Sequence, residues 1–254
     1  MIPSREMKEK ARGHGVPEST IERDYAQNWL LRHLSNLSMA LKGGTGIRKA
    51  YIRDYRFSDD LDFTLLEGMK NESLKTHIVS AVRDAKEKSG IAFDEEVVLE
   101  ENQNGYEISV YFRILRGAGS PLRMKLDITK PEKEKILLPI QNRNIFHSYS
   151  DDLTSSVSVY CLEEITAEKI RALFERTRPR DLYDICYLWG KIDKEKVLHI
   201  LPEKCVLKGV SIDGQLLVDR KSDFGNAWRS SLQHQLQKLP DFDKIFNTVV
   251  EMIE

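Results

Sequence analysis

Residues 41–65 read LKGGTGIRKAYIRDYRFSDDLDFTL, and the fold is decided there. An apolar run enters the Gly43-Gly44-Thr45 turn, and Asp60 and Asp62 follow sixteen and eighteen positions after Gly44. Alternate residues of a strand share a face. A strand over Asp60–Leu65 therefore points Asp60 and Asp62 one way and Leu61 and Phe63 toward a core. Two carboxylates side by side repel unless a cation offsets them. A glycine turn just before them offers backbone N–H groups to phosphate. The plainer reading, an exposed acidic strand end, stays open at this point.

Working outward, residues 17–34 show a helix start at Ser19–Glu22, then Ile21, Tyr25, Trp29 and Leu30 at helical spacing. A short strand is expected at 38–42 and a helix start over Ile47–Tyr51. Residues 73–88 read as a helix. Three strands are expected at Ala92–Leu99, Tyr106–Leu115 and Leu122–Thr129, joined by turns holding Asn102, Asn104, Gly105, Gly117, Gly119 and Pro121. An antiparallel meander is the simplest arrangement. In the third strand Leu122, Met124, Leu126 and Ile128 alternate with Arg123, Lys125, Asp127 and Thr129. If that strand lies beside the acidic one, Asp127 adds a third carboxylate; otherwise it belongs to a solvated face.

After Pro131 the pattern loosens, a short strand is expected at Val157–Cys161, and helices follow. One runs from Leu162 to Arg176, Pro179 breaks it, and a second begins near Arg180. Further helical patterns cover Phe224–Glu254, broken at Pro240. On the first of these helices Lys169 and Arg176 share a stripe with Leu162, Ile165 and Leu173. An apolar stripe packs inward, so these cations need a cleft or a buried acidic partner, unless Lys169 snorkels at the helix edge. Glu163, Glu164, Glu168 and Arg171 read as a solvated surface. Asp181 and Asp184 share a face of the next helix and are candidate partners for Lys169 and Arg176.

The chain has 254 residues, 41% hydrophobic and 31% charged, with net charge −1. That suits an ordinary soluble protein and argues against a nucleic-acid binder of uniformly basic surface, though not against a local basic patch. No run reaches the apolar length of a membrane span, and the N-terminus has no apolar signal core, so a cytoplasmic location is expected. Cys161, Cys186 and Cys205 are too scattered for a zinc site. The expected organisation is an α+β lobe over 1–155 and a mostly helical lobe over 156–254.

Three blocks carry a family resemblance: KGGTGIRKAY at 42–51, RFSDDLDF at 56–63, and LEEITAEKIRALFERTRPRDLYDI at 162–185. Trp228, Leu232, Pro240 and Phe242 add a weaker fourth. On these the chain resembles the AbiEii/AbiGii toxin family, nucleotidyltransferase-like proteins of abortive-infection and toxin–antitoxin systems. The resemblance implies a DNA polymerase β-like nucleotidyltransferase core with a helical C-terminal lobe. By the same analogy Gly43, Gly44 and Thr45 hold the triphosphate, Ser58 contacts phosphate, and Asp60 and Asp62 bind Mg²⁺, with Asp127 a possible third ligand. Lys169 grips a triphosphate oxygen, Arg176 offsets charge beside it, and Asp181 or Asp184 completes the site. An NTP is the implied co-substrate and the 3′ end of tRNA the implied acceptor. Arg48, Lys49, Arg53 and Arg56 are the expected cradle for it. A cognate antitoxin is implied as a partner; direct contact with it is not. NMP or phosphoryl transfer to a protein, or a silent nucleotide- or RNA-binding module, are the alternatives.

Overall fold

The computed structural model describes residues 1–253 except Arg116 and Ala118; Glu254, the last residue of the expected helical tail, lies outside the described residues. Contacts divide the chain into two compact units. One comprises Met1–Glu134 with Ile140–Tyr160, the other Lys135–Pro139 with Cys161–Glu254.

The first unit opens with helices α1 (Ser4–His14) and α2 (Glu18–Leu34), then strand β1 (Met39–Lys42). A helical turn, α3 (Gly43–Gly46), follows at once and widens into a π-helical turn over Ile47–Tyr51. The helix thus begins at the glycines, four residues before the expected start at Ile47. β2 (Leu61–Leu65), α4 (Asn71–Ser89), β3 (Ala92–Phe93), β4 (Val98–Glu101), β5 (Gly105–Arg113), β6 (Leu122–Thr129), β7 (Gln141–Asn144) and β8 (Ser156–Val159) complete it. The expected first strand of the meander is split into β3 and β4, both antiparallel to β5. β5 in turn runs antiparallel to β6.

The strands form one mixed sheet in the order β3-β5-β6-β2-β1-β8-β7, with β4 also on β5. β2 runs antiparallel to β1 and parallel to β6. One sheet face rests on the core. Leu61, Phe63, Met124, Leu126 and Ile128 are buried there with α2 and α4 residues such as Leu30, Ile78 and Val82. Full burial of each large side chain contributes about 1.5–3 kcal/mol.

The second unit is helical: α5 (Leu162–Glu175), α6 (Pro179–Leu188), α7 (Lys194–Lys208), α8 (Gly214–Asp219), α9 (Lys221–Leu232) and α10 (Phe242–Ile253). Its core gathers Ile170, Leu173, Leu182, Ile185, Val197, Phe224, Trp228 and Phe246. Glu164 and Arg171 of α5 are buried, contrary to the solvated surface expected of them. Glu164 pairs at 2.5 Å with Lys204 of α7, both carrying fully buried side chains. The Glu164 carboxylate accepts from the Leu138 N–H at 2.8 Å, and the Lys204 ammonium donates to the Lys135 carbonyl at 2.6 Å. That clamp is why Lys135–Pro139 packs with the helices. Among the described residues no helix is long and apolar enough to cross a membrane.

Candidate active site

β1, β2, β6 and β5 place one charged residue each at a common register position. Lys42 lies opposite Asp62, Asp62 opposite Asp127, and Asp127 opposite Glu107. Directly opposed residues of neighbouring strands share a sheet face. Three carboxylates therefore form a row, with the Lys42 ammonium 5.7 Å from the centre of the Tyr160 ring at one end. β6 does lie beside β2, which makes Asp127 a neighbour of Asp62. Glu107 was missed in the sequence. Its only signal there is the alternation of β5, whose Tyr106 and Ile108 are buried.

The charges in this row are incompletely offset. Lys125 reaches both Asp127 (3.0 Å) and Glu107 (2.9 Å). Even so, burial first and the Asp62 charge second push the Asp127 carboxyl above its ordinary range, against the pull of Lys125. Glu107, hydrogen-bonded to Lys125 and lying near Arg123, is shifted down instead.

The glycine turn closes directly on these acids. Gly43 has φ +67°, a left-handed conformation that favours glycine. A Cβ built there would sit 2.6 Å from Oδ2 of Asp62, so a side chain would also have to displace that carboxylate. At Gly44 a Cβ would meet an Arg56 guanidinium nitrogen at 2.7 Å and Ser58 Oγ at 3.1 Å. Thr45 is fully buried, and its hydroxyl donates to the Asp60 carbonyl. Gly43, Gly44, Thr45, Ser58, Asp60 and Asp62 are thus brought together by contact, and Asp127 by register with Asp62. The Thr45 hydroxyl is thus committed to pinning the acidic segment.

Most of the expected basic cradle is not on the surface. Arg48, Lys49 and Arg56 are buried; of the four, Arg53 is exposed. Arg48 and Lys49 pair with Asp24 of α2 at 2.6 and 2.7 Å. Arg48 also stacks on Phe57, 3.6 Å from the ring centre. Burial would raise the Asp24 carboxyl, but the two cations outweigh it and hold it far below the usual range. Lys49 falls to about 8, through burial above all. A buried cation needs a partner more than a ligand, and α2 supplies it.

The residues expected from the second unit form their own cluster. Lys169 is buried and touches Asp181 at 2.8 Å and Asp184 at 2.6 Å. Arg176 has left the helix in extended conformation and stands half exposed, 3.4 Å from Asp181. Burial would raise the Asp181 carboxyl, yet Lys169 and then Arg176 bring it below the ordinary value.

Among the described residues no set of three or more His, Cys, Asp or Glu side chains forms a ready metal cage. The donors still suit a hard cation. Asp62 and Asp127 face each other across adjacent strands, and magnesium takes a few carboxylates together with substrate phosphates rather than an all-protein cage.

The family model described as "Nucleotidyl transferase AbiEii toxin, Type IV TA system" matches residues 28–248. No curated protein matches the chain. Among solved structures, the nucleotidyltransferase toxin MenT4 (Rv2826c) from Mycobacterium tuberculosis H37Rv is similar at TM-score 0.69 and 19% identity, covering 100% of this chain and 90% of that one. JHP933 from Helicobacter pylori is similar at TM-score 0.59 and 17% identity, covering 94% and 93%.

Proposed function

Given that the chain belongs to the AbiEii family of nucleotidyltransferase toxins of type IV toxin–antitoxin systems, we propose that it transfers an NMP from an NTP to the 3′ end of an RNA, tRNA being the leading acceptor. The observation that carries this reading is the close approach of the glycine turn to Asp62, where a Cβ at Gly43 would lie 2.6 Å from the carboxylate Oδ2. It supports a phosphate held by the N–H groups of the turn beside the row of acids.

In this reading the backbone of Gly43, Gly44 and Thr45 holds the triphosphate, with the Ser58 hydroxyl beside it. Asp60 and Asp62, with Asp127, would hold Mg²⁺, which when bound offsets the charge of the phosphates. Asp127 is the candidate base for the acceptor hydroxyl, a role supported by its raised carboxyl, which binds protons more readily than an ordinary aspartate. The acceptor oxygen attacks the α-phosphorus in line, the bond to the bridging oxygen breaks, and pyrophosphate departs with its electron pair. For the helical unit we retain Lys169 and Arg176 as cations for the triphosphate and Asp181 and Asp184 as the carboxylates that orient Lys169. The buried pairing of Lys169 with Asp181 and Asp184 supports the orienting role.

A second reading, transfer of the NMP to a protein side chain, is favoured by one finding: three of the four basic residues expected to cradle RNA are buried. Incubation with each α-labelled NTP, Mg²⁺, total cellular RNA and cell protein separates the two. Label in RNA supports the first reading and label in protein the second. Transfer of label from the γ-phosphate instead would refute nucleotidyl transfer.

A further inference from the structure

α2 is buried on most sides, yet Thr20, Glu22, Asp24, Gln27 and Asn28 are all buried polar residues on it. A helix enclosed this way is expected to be apolar, because each buried polar group needs a partner. Among these, Gln27 finds its partners in the irregular segment between Tyr51 and β2, whose backbone carbonyls have no ladder to join. Gln27 Nε2 donates to the carbonyls of Ser58 (2.9 Å) and Asp59 (3.2 Å). Its Oε1 is buried without a hydrogen-bond partner, so the side chain is held by its donors alone. Arg23 pairs with the Asp59 carboxylate at 3.0 Å. Asp24 takes the Arg48 Nε–H at 2.6 Å, and Arg48 passes the hold on to the Tyr55 carbonyl.

We propose that α2 is the platform that sets the acidic segment against the glycine turn, with Gln27 as its principal positioning residue. Gln27 grips the two peptides before Asp60. Asp24 fixes the other side, through Arg48 and Lys49 on the π-helical turn that continues the glycine turn. A widened turn leaves the backbone less tightly determined than a regular helix, so an outside anchor is needed there. Gln27 and Asp24 both precede the residues matched by the family model, so they are not part of that pattern. The consequence for cation binding rests on the metal role proposed for Asp60 and Asp62; the mechanical part does not.

The test uses the full chain carrying Gln27→Met, with the nearly isosteric Gln27→Glu as a second variant, and Asp62→Asn as the control for the metal reading. Hydrogen exchange is followed on peptides covering 55–62, and Mn²⁺ binding by the loss of its free-ion electron-spin signal. The expected result is exchange faster by about tenfold or more in 55–62 with the β5–β6 amides unchanged, together with Mn²⁺ affinity lower by about tenfold. Gln27→Glu should show both effects above pH 7 and lose part of them toward pH 5, where a protonated carboxyl again donates. Unchanged exchange in 55–62 in both variants would overturn the proposal. Faster exchange with Mn²⁺ binding equal in the wild type and Asp62→Asn would support the platform and refute the metal reading.

Discussion

The chain carries two clusters of acids, and their electrostatics are opposite. In the sheet, Asp62, Asp127 and Glu107 lie abreast with Lys125 serving two of them, and the Asp127 carboxyl is pushed up. In the helical unit, Asp181 and Asp184 share one buried ammonium, and the Asp181 carboxyl is pulled down. The first arrangement holds charge that an external cation would offset; the second satisfies itself. Carboxylates kept in mutual repulsion cost folding energy and suit a binding site. Carboxylates closed around a lysine fix a helix pair and one side-chain orientation.

Asp62→Asn should separate these roles most sharply. Nucleotidyl transfer is expected to fall by about a thousandfold or more, while the melting temperature stays level or rises. A rate within tenfold of the wild type would erase the contrast. Lys169→Met should do the reverse to stability. It leaves two carboxylates buried without their ammonium, and urea unfolding should show a loss of about 3–5 kcal/mol. Asp127→Asn should have the smallest effect on stability, a gain of about 0.5 kcal/mol from relief of a like-charge cross-strand pair, readable in the same unfolding series.

The two clusters should also part company on acidification. Asp181 has a folded pKa below its unfolded value. Its stabilisation is present above the ordinary aspartate range and is lost as pH falls through that range toward the depressed value. Asp127 has a folded pKa above its unfolded value, so its charged form costs stability, and that cost disappears as pH falls through the raised value. The advantage of Asp127→Asn over the wild type should therefore vanish at mildly acid pH, before the Asp181 contribution is lost. Melting curves of both proteins between about pH 7 and about pH 2 check the order.

The local part of the site was legible in the sequence. Leu61 and Phe63 alternating with Asp60 and Asp62, and the Gly43-Gly44 turn ahead of them, are short-range patterns. The neighbour relation between Asp62 and Asp127 joins parallel strands far apart in sequence, so it could be stated only as a condition. Arg48, Lys49 and Arg56 were misread because a run of cations looks like surface until an acid such as Asp24 is found to bury it. Glu164 and Arg171 went wrong for the same reason, with Lys204 as the unseen partner of Glu164. β7 was missed because Gln141–Asn144 is an exposed polar edge strand with no alternation to detect. α7 was hidden by the internal Pro202.

Toxicity should come from chemistry at the carboxylate row, and inducing wild type and Asp62→Asn in a bacterial host tests this most directly, with soluble protein level and melting temperature measured on each. The account expects the wild type to arrest growth and the variant to be harmless, although equally soluble and at least as stable. Growth arrest of equal strength by the folded variant would contradict it.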